Sequence, residues 1–166
     1  MRGLPVYSDD MTYNGLFGIL PRQYVAAELL ERVEVFRGAS AFLNGAAPGG
    51  SGLGGSVNIV PKRAGEEPLN RFTLGYESQG HLLGAVDVSR RFGEEGNSTG
   101  VRVNLVQRGG ETSVDNQDRD LSVASVGIDH EGEKVRVSLD LGFQDHQVDA
   151  PRPAVTPSGG IPIFRE

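Results

Sequence analysis

The sequence predicts a mainly β protein in two parts. A partial α/β piece comes first. An antiparallel meander of the kind that builds a transmembrane β-barrel follows, incomplete at this length. Three observations carry this. Gly makes up 24 of 166 residues, about twice the usual share of roughly 7%, which favours turns and β architecture over helices. A glycine-rich stretch at 45–55 separates two short β-like runs. From about residue 70 onward, apolar and polar residues alternate with period two over long segments.

Residues 1–20 hold turn signals at Asp9-Asp10 and Asn14-Gly15 around short apolar pieces. Pro21 suits the first turn of a helix, and Tyr24, Val25, Ala26, Ala27, Leu29 and Leu30 continue it. The alternation from Arg32 to Phe36 predicts a strand, and 39–44 fits one helical turn. Residues 45–55 carry too many glycines for regular structure. Val57 and Ile59 mark a second strand, ended by Pro61.

Beyond Glu66, Glu67 and Pro68 the period becomes two. Phe72, Leu74 and Tyr76 share a face opposite Arg71, Thr73, Gly75 and Glu77. After a short turn at Gln79-Gly80, Leu82, Gly84, Val86 and Val88 alternate with Leu83, Ala85, Asp87 and Ser89. Residues 93–100 read as a turn. Val101, Val103 and Leu105 then alternate with Arg102, Asn104 and Val106. Residues 109–119 read as a polar loop, and 120–130 as a weaker strand with Ala124, Val126 and Ile128 on one face. After a tight turn at 131–134, Val135, Val137, Leu139, Leu141 and Phe143 alternate strictly with Arg136, Ser138, Asp140, Gly142 and Gln144. The proline-rich end, 150–162, reads as extended or disordered.

A soluble sandwich could bury such apolar faces as its core. In an outer-membrane barrel the same faces would meet lipid, with the polar faces lining the interior. Length favours the barrel. Several segments run to about ten residues, near the roughly 9–11 that cross a bilayer, whereas a typical soluble strand has about 5–6. Phe92, Tyr76 and Phe143 are candidates for the aromatic girdle at the bilayer edge, or for ordinary core.

Composition excludes several function classes. The formal charge is −6 without a basic patch, which argues against nucleic acid. The absence of Cys excludes disulfides and thiolate metal sites. His81, His130 and His146 lack metal-ligand spacing. The run Gly50-Ser-Gly-Leu-Gly-Gly55 fits G-x-G-x-x-G, but a strand follows it where a dinucleotide fold needs a helix. No nucleophile elbow accompanies a Ser-His-Asp order, and no enzyme is expected. No apolar core of a signal peptide opens the sequence, so an exported barrel would have its leader elsewhere.

One motif set is specific. The run E-R-V-E-V-F-R-G at 31–38 is followed by L-N-G at 43–45, Gly54-Gly55, and V-N-I-V-P-K-R at 57–63. It resembles the plug of TonB-dependent outer-membrane receptors, whose pattern is E-R-[VI]-E-V-x-[KR]-G, then L-[YN]-G, then G-G-x-[VIL]-N-x-[VI]-x-K. Arg2-Gly3 and Asn14-Gly15-Leu16 look like that family's R-G and D-G-[LIV] motifs. The match is best with the siderophore-receptor branch. It is strong over 1–63 and one of pattern alone over 68–148.

The resemblance implies a plug inside a barrel of about 22 strands. On it, 1–66 is the C-terminal part of a plug and 67–166 the first roughly five barrel strands. It implies uptake of a ferric siderophore across the Gram-negative outer membrane, with TonB and outer-membrane lipid as partners and no cofactor. It makes Glu31, Arg32, Glu34 and Arg37 candidates for plug–barrel ion pairs. It also makes Arg2, Phe17 and Tyr24 candidates for ligand contact at the plug apex. A same-fold receptor for cobalamin, haem or saccharide is the alternative within transport. A secreted soluble β-rich adhesin is the alternative from another class.

Overall fold

The computed structural model describes residues 11–20, 25–38, 45, 54–77, 80–94 and 96–151. They form two sheets. The first is small and ordered β2-β1-β4-β3, from β1 (Met11–Tyr13), β2 (Leu16–Phe17), β3 (Leu30–Arg37) and β4 (Gly55–Pro61). β1 and β2 form a hairpin through Asn14 and Gly15, whose φ values of 49° and 82° are both positive. Only Asn, Asp and Gly adopt such a pair readily, which is why Asn-Gly sits there. β4 is the hub, parallel to β1 and antiparallel to β3.

The second sheet is an antiparallel meander in chain order: β5 (Leu69–Tyr76), β6 (Leu82–Glu94), β7 (Asn97–Glu111), β8 (Asp118–Glu131) and β9 (Arg136–Val148). β6 to β9 have 13, 15, 14 and 13 residues. Among the described residues no helix is long and apolar enough to cross a membrane, which says nothing of crossing by strands.

Several expectations are corrected. The strands run through much of what reads as turn and loop. β6 and β7 continue to Glu94 and from Asn97, leaving only 95–96 between them where the sequence predicts a turn at 93–100. β7 and β8 likewise consume both ends of the polar loop, leaving 112–117. Hydrogen bonds to neighbouring strands hold these polar residues extended, whatever their weak β preference. The helix expected from Pro21 shrinks, among the described residues, to a single 3-10 turn at Ala27–Leu29. Ala26 is extended before it, and Leu30 already pairs with Pro61 in β3. Packing on the second sheet overrides helix preference here. The turn expected at 39–44 and most of 45–55 lie outside the described residues.

The core lies between the sheets. Ala26, Val106, Leu121 and Val123 are buried together, with Leu29, Leu83 and Ala85 packed against them. The 3-10 turn thus seats on one face of the second sheet. That face also carries Asp87, Arg102, Asn104 and Ser89, all buried. We call it the inner face.

The outer face is different. In register across the sheet lie Phe72, Val86, Leu105, Ala124 and Phe143, and in the next row Val88, Val103, Val126 and Leu141. Phe72 and Leu74 are 75% and 91% exposed, and Val137, Leu139, Leu141 and Phe143 are all more than half exposed. Phe92 and Tyr76, both exposed, close this band at opposite ends of β6 and β5.

The apolar band crosses the strands obliquely. Its middle on β5 is Leu74, which lies in register with Gly84, Gln107, Ser122 and Asp145. On β9 its middle is Leu139, six residues from Asp145 and four strand steps from β5. At about 3.3 Å per residue and about 4.8 Å per strand, the band runs at about 45° to the perpendicular of the strands.

Candidate functional site between the two sheets

The inner face holds the first sheet through charge. Asp87 on β6 and Arg102 on β7 form a two-pronged pair: Arg102 Nε donates to Oδ1 and Nη2 to Oδ2, both at 2.8 Å. A planar guanidinium and a carboxylate match in this geometry. The remaining nitrogen, Nη1, reaches outward. It donates to Glu31 Oε2 on β3 and to the Arg63 main-chain carbonyl, each at 2.9 Å. Lys62 Nζ donates to Asp87 Oδ2 at 3.2 Å and to Asn104 Oδ1 at 3.0 Å. One carboxylate therefore faces two cations, and no charge in the group lacks an opposite.

Two further pairs extend the junction. Arg91 Nη2 donates to Asp129 Oδ2 at 2.8 Å and to the Ala64 carbonyl at 2.7 Å. Arg63 Nη2 donates to Asp140 Oδ2 at 2.5 Å. Beside the core, Arg108 pairs with Glu28 at 3.2 Å, and the Ala26 N–H donates to Gln144 Oε1 at 2.8 Å.

The chain segment from Lys62 to Ala64 lies close against the wall because two wall positions lack side chains. A Cβ on Gly127 would stand 2.8 Å from the Lys62 carbonyl oxygen, and one on Gly100 would stand 2.9 Å from the Ala64 Cβ. Any larger residue would push the segment away. A cavity of about 300 Å³ remains between the sheets, lined by Tyr13, Ile19, Leu29, Asp140 and Gln144 among others. Burial raises the Tyr13 hydroxyl above its ordinary 10.0, and the Asp140 carboxylate adds to this.

The residues singled out from sequence fall in different places. Glu31 crosses from the first sheet to Arg102, with its own side chain 46% exposed in this chain. Arg32 and Glu34 pair with each other at 2.7 Å on the exposed side of β3. Glu34 also accepts from the Asn58 amide at 2.9 Å. That hydrogen bond first, and Arg32 second, hold its carboxyl below the ordinary 4.5. Arg37 is exposed at the end of β3. Phe17 lies on β2 and does not line the cavity. Arg2 and Tyr24 lie outside the described residues.

His81 lies 3.7 Å from Glu77, His130 contacts Thr99, and His146 accepts from Arg119. Among the described residues no group of His, Asp and Glu could hold a metal ion. Sequence reading placed Asp87, Arg102, Asn104 and Asp140 on polar strand faces but did not join them to Lys62 and Arg63. The joining depends on which face the 62–64 segment crosses, and alternation carries no such signal.

No family model matches the chain. It is 45% identical over 163 residues to the ferrichrome receptor FcuA of Yersinia enterocolitica, covering 98% of this chain and 21% of that protein. It superposes on the ferric preacinetobactin receptor BauA of Acinetobacter baumannii with a TM-score of 0.81 and 43% identity, over 90% of this chain and 22% of that one. The pyoverdine outer-membrane receptor FpvA of Pseudomonas aeruginosa shares the fold at a TM-score of 0.69, with 21% identity over 84% of this chain and 21% of that one. The chain thus spans about a fifth of the length of these proteins.

Proposed function

We propose that this chain, a stretch of a TonB-dependent outer-membrane siderophore receptor, supplies the plug-to-barrel junction that keeps the pore shut until a ferric siderophore is taken in. On this reading 1–66 is the C-terminal part of the plug and 67–166 the first roughly five strands of the barrel. The outer face of β5 to β9 meets outer-membrane hydrocarbon. The inner face grips the plug. TonB, acting on plug outside this stretch, supplies the force. The reaction is transport of an intact ferric chelate, with no covalent step and no resident cofactor.

One observation carries the reading: the sheet sorts its two faces oppositely to a soluble core. Large apolar side chains stand exposed on one face, while buried charges and the first sheet occupy the other. The slope of the apolar band, about 45°, agrees with the strand tilt of roughly 35–45° in outer-membrane barrels. A soluble adhesin would have to cover Phe72, Leu74, Leu139 and Leu141. The connections at 95–96 and 132–135 are shorter than those at 77–81 and 112–117, so by the usual asymmetry they face the periplasm.

The test is made on the full-length product containing this sequence. It is expected to fractionate with outer membranes and to support growth on a ferric chelate, with ferrichrome and ferric preacinetobactin tried first because the relatives are named for them. Recovery in the soluble fraction with no iron-dependent phenotype would overturn the reading.

A further inference from the structure

The inner face holds the first sheet in two ways that differ in kind. Glu31 is a side-chain contact from β3, half exposed, to a guanidinium that has other partners. If Glu31 leaves, Arg102 keeps both bonds to Asp87 and its bond to the Arg63 carbonyl. No buried charge is stranded, so this contact can open and close at little cost. The segment 62–64 is held otherwise. Its main-chain carbonyls at Arg63 and Ala64 accept from Arg102 and Arg91, and its Lys62 carbonyl lies where Gly127 leaves room. Its side chains at Lys62 and Arg63 pair with Asp87 and Asp140. Ala64 is buried. Releasing this segment would leave Asp140 without Arg63, take Lys62 from Asp87 and Asn104, and deprive Arg91 and Arg102 of main-chain acceptors, all at once.

We propose that residues 62–64 are a fixed pivot for the plug, positioned by Arg91 and Arg102 through main-chain carbonyls, while Glu31–Arg102 is the releasable catch. This rests on the transport reading above. Plug motion then begins on the β3 side and stops at Lys62, and the wall arginines set where it stops. Arg91 and Arg102 are positioning residues here; neither need touch the cargo.

The experiment is single-molecule pulling on the N-terminal end of the plug in the full-length receptor, inserted in lipid and without any ligand. Contour length reports where along the chain each resistance lies. We expect an early event near residue 31 and a final one at 62–64. Glu31→Gln should remove the early event and leave the final one. Arg91→Met should clearly lower the force of the final event, the ties through Arg102, Asp87 and Asp140 remaining. Arg91→Lys, which keeps a positive charge but ends short of the Nη2 that bonds both Asp129 and the Ala64 carbonyl, should lower the final rupture force. It serves as the test if Arg91→Met does not assemble. Peeling past residue 64 in the parent without resistance, or a final event indifferent to both Arg91 variants, would overturn the pivot. A receptor that never inserts in lipid would instead overturn the transport reading itself.

Discussion

At Asp87 a single carboxylate balances Arg102 and Lys62 in a buried site. Removing it leaves Lys62 without a counter-charge and Arg102 with only the half-exposed Glu31, whereas removing Glu31 leaves every partner satisfied. Unfolding of the full-length protein in detergent should therefore show a loss of about 3–5 kcal/mol for Asp87→Ala and about 0–1 kcal/mol for Glu31→Gln, a partly exposed pair. Equal losses would contradict the geometry. Gly127→Leu should displace the 62–64 segment, since its Cβ alone would meet the Lys62 carbonyl at 2.8 Å. Limited proteolysis should then cut near residue 63, where the parent resists. Glu34 gives a pH signature. Its carboxyl is held below its ordinary 4.5 by Asn58 and Arg32, so its stabilising effect is complete above that value. It disappears as pH falls through the lowered pKa. Melting temperature measured downward from pH 5 should fall less steeply in Glu34→Gln than in the parent.

Among the elements, β9 separates a face in lipid from one open to water. Leu141 faces outward and is 58% exposed in this chain. On a face left open to water, Leu141→Arg would be nearly neutral. At the middle of a bilayer it should cost about 2–4 kcal/mol, read as reduced barrel assembly or a lowered unfolding midpoint. The strands are also where sequence reading succeeded most. Alternation fixed the faces of β5, β6, β7 and β9 because a period of two leaves no freedom once one residue is placed. It failed at the ends. Ser98, Thr99 and Gly100 look like turn residues yet pair fully with β8, since ladder hydrogen bonds from both neighbours outweigh local preference. The segment from Val25 to Leu30 failed for a related reason. Its apolar spacing suits a helix, but its partner is the flat inner face around Val106 and Leu121.

Seen whole, the described residues form two sheets joined by a buried polar seam, with the exposed apolar face of the second turned away from the first. The motif at 31–38 made the first part legible, because that residue pattern is specific. The seam was not legible. Lys62 meets Asp87 and Asn104, and Arg63 meets Asp140, across 25, 42 and 77 positions of chain. Such pairs follow from the path of the 62–64 segment over the wall, which no local pattern encodes. The central claim is that the outer face touches hydrocarbon. It is tested most directly by placing a fluorophore in turn at positions 137 to 143 of the full-length protein, in vesicles whose acyl chains carry bromine. Quenching is expected at Val137, Leu139, Leu141 and Phe143 and not at Ser138, Asp140 and Gly142. Quenching absent at all seven positions, or the same at all, would contradict it.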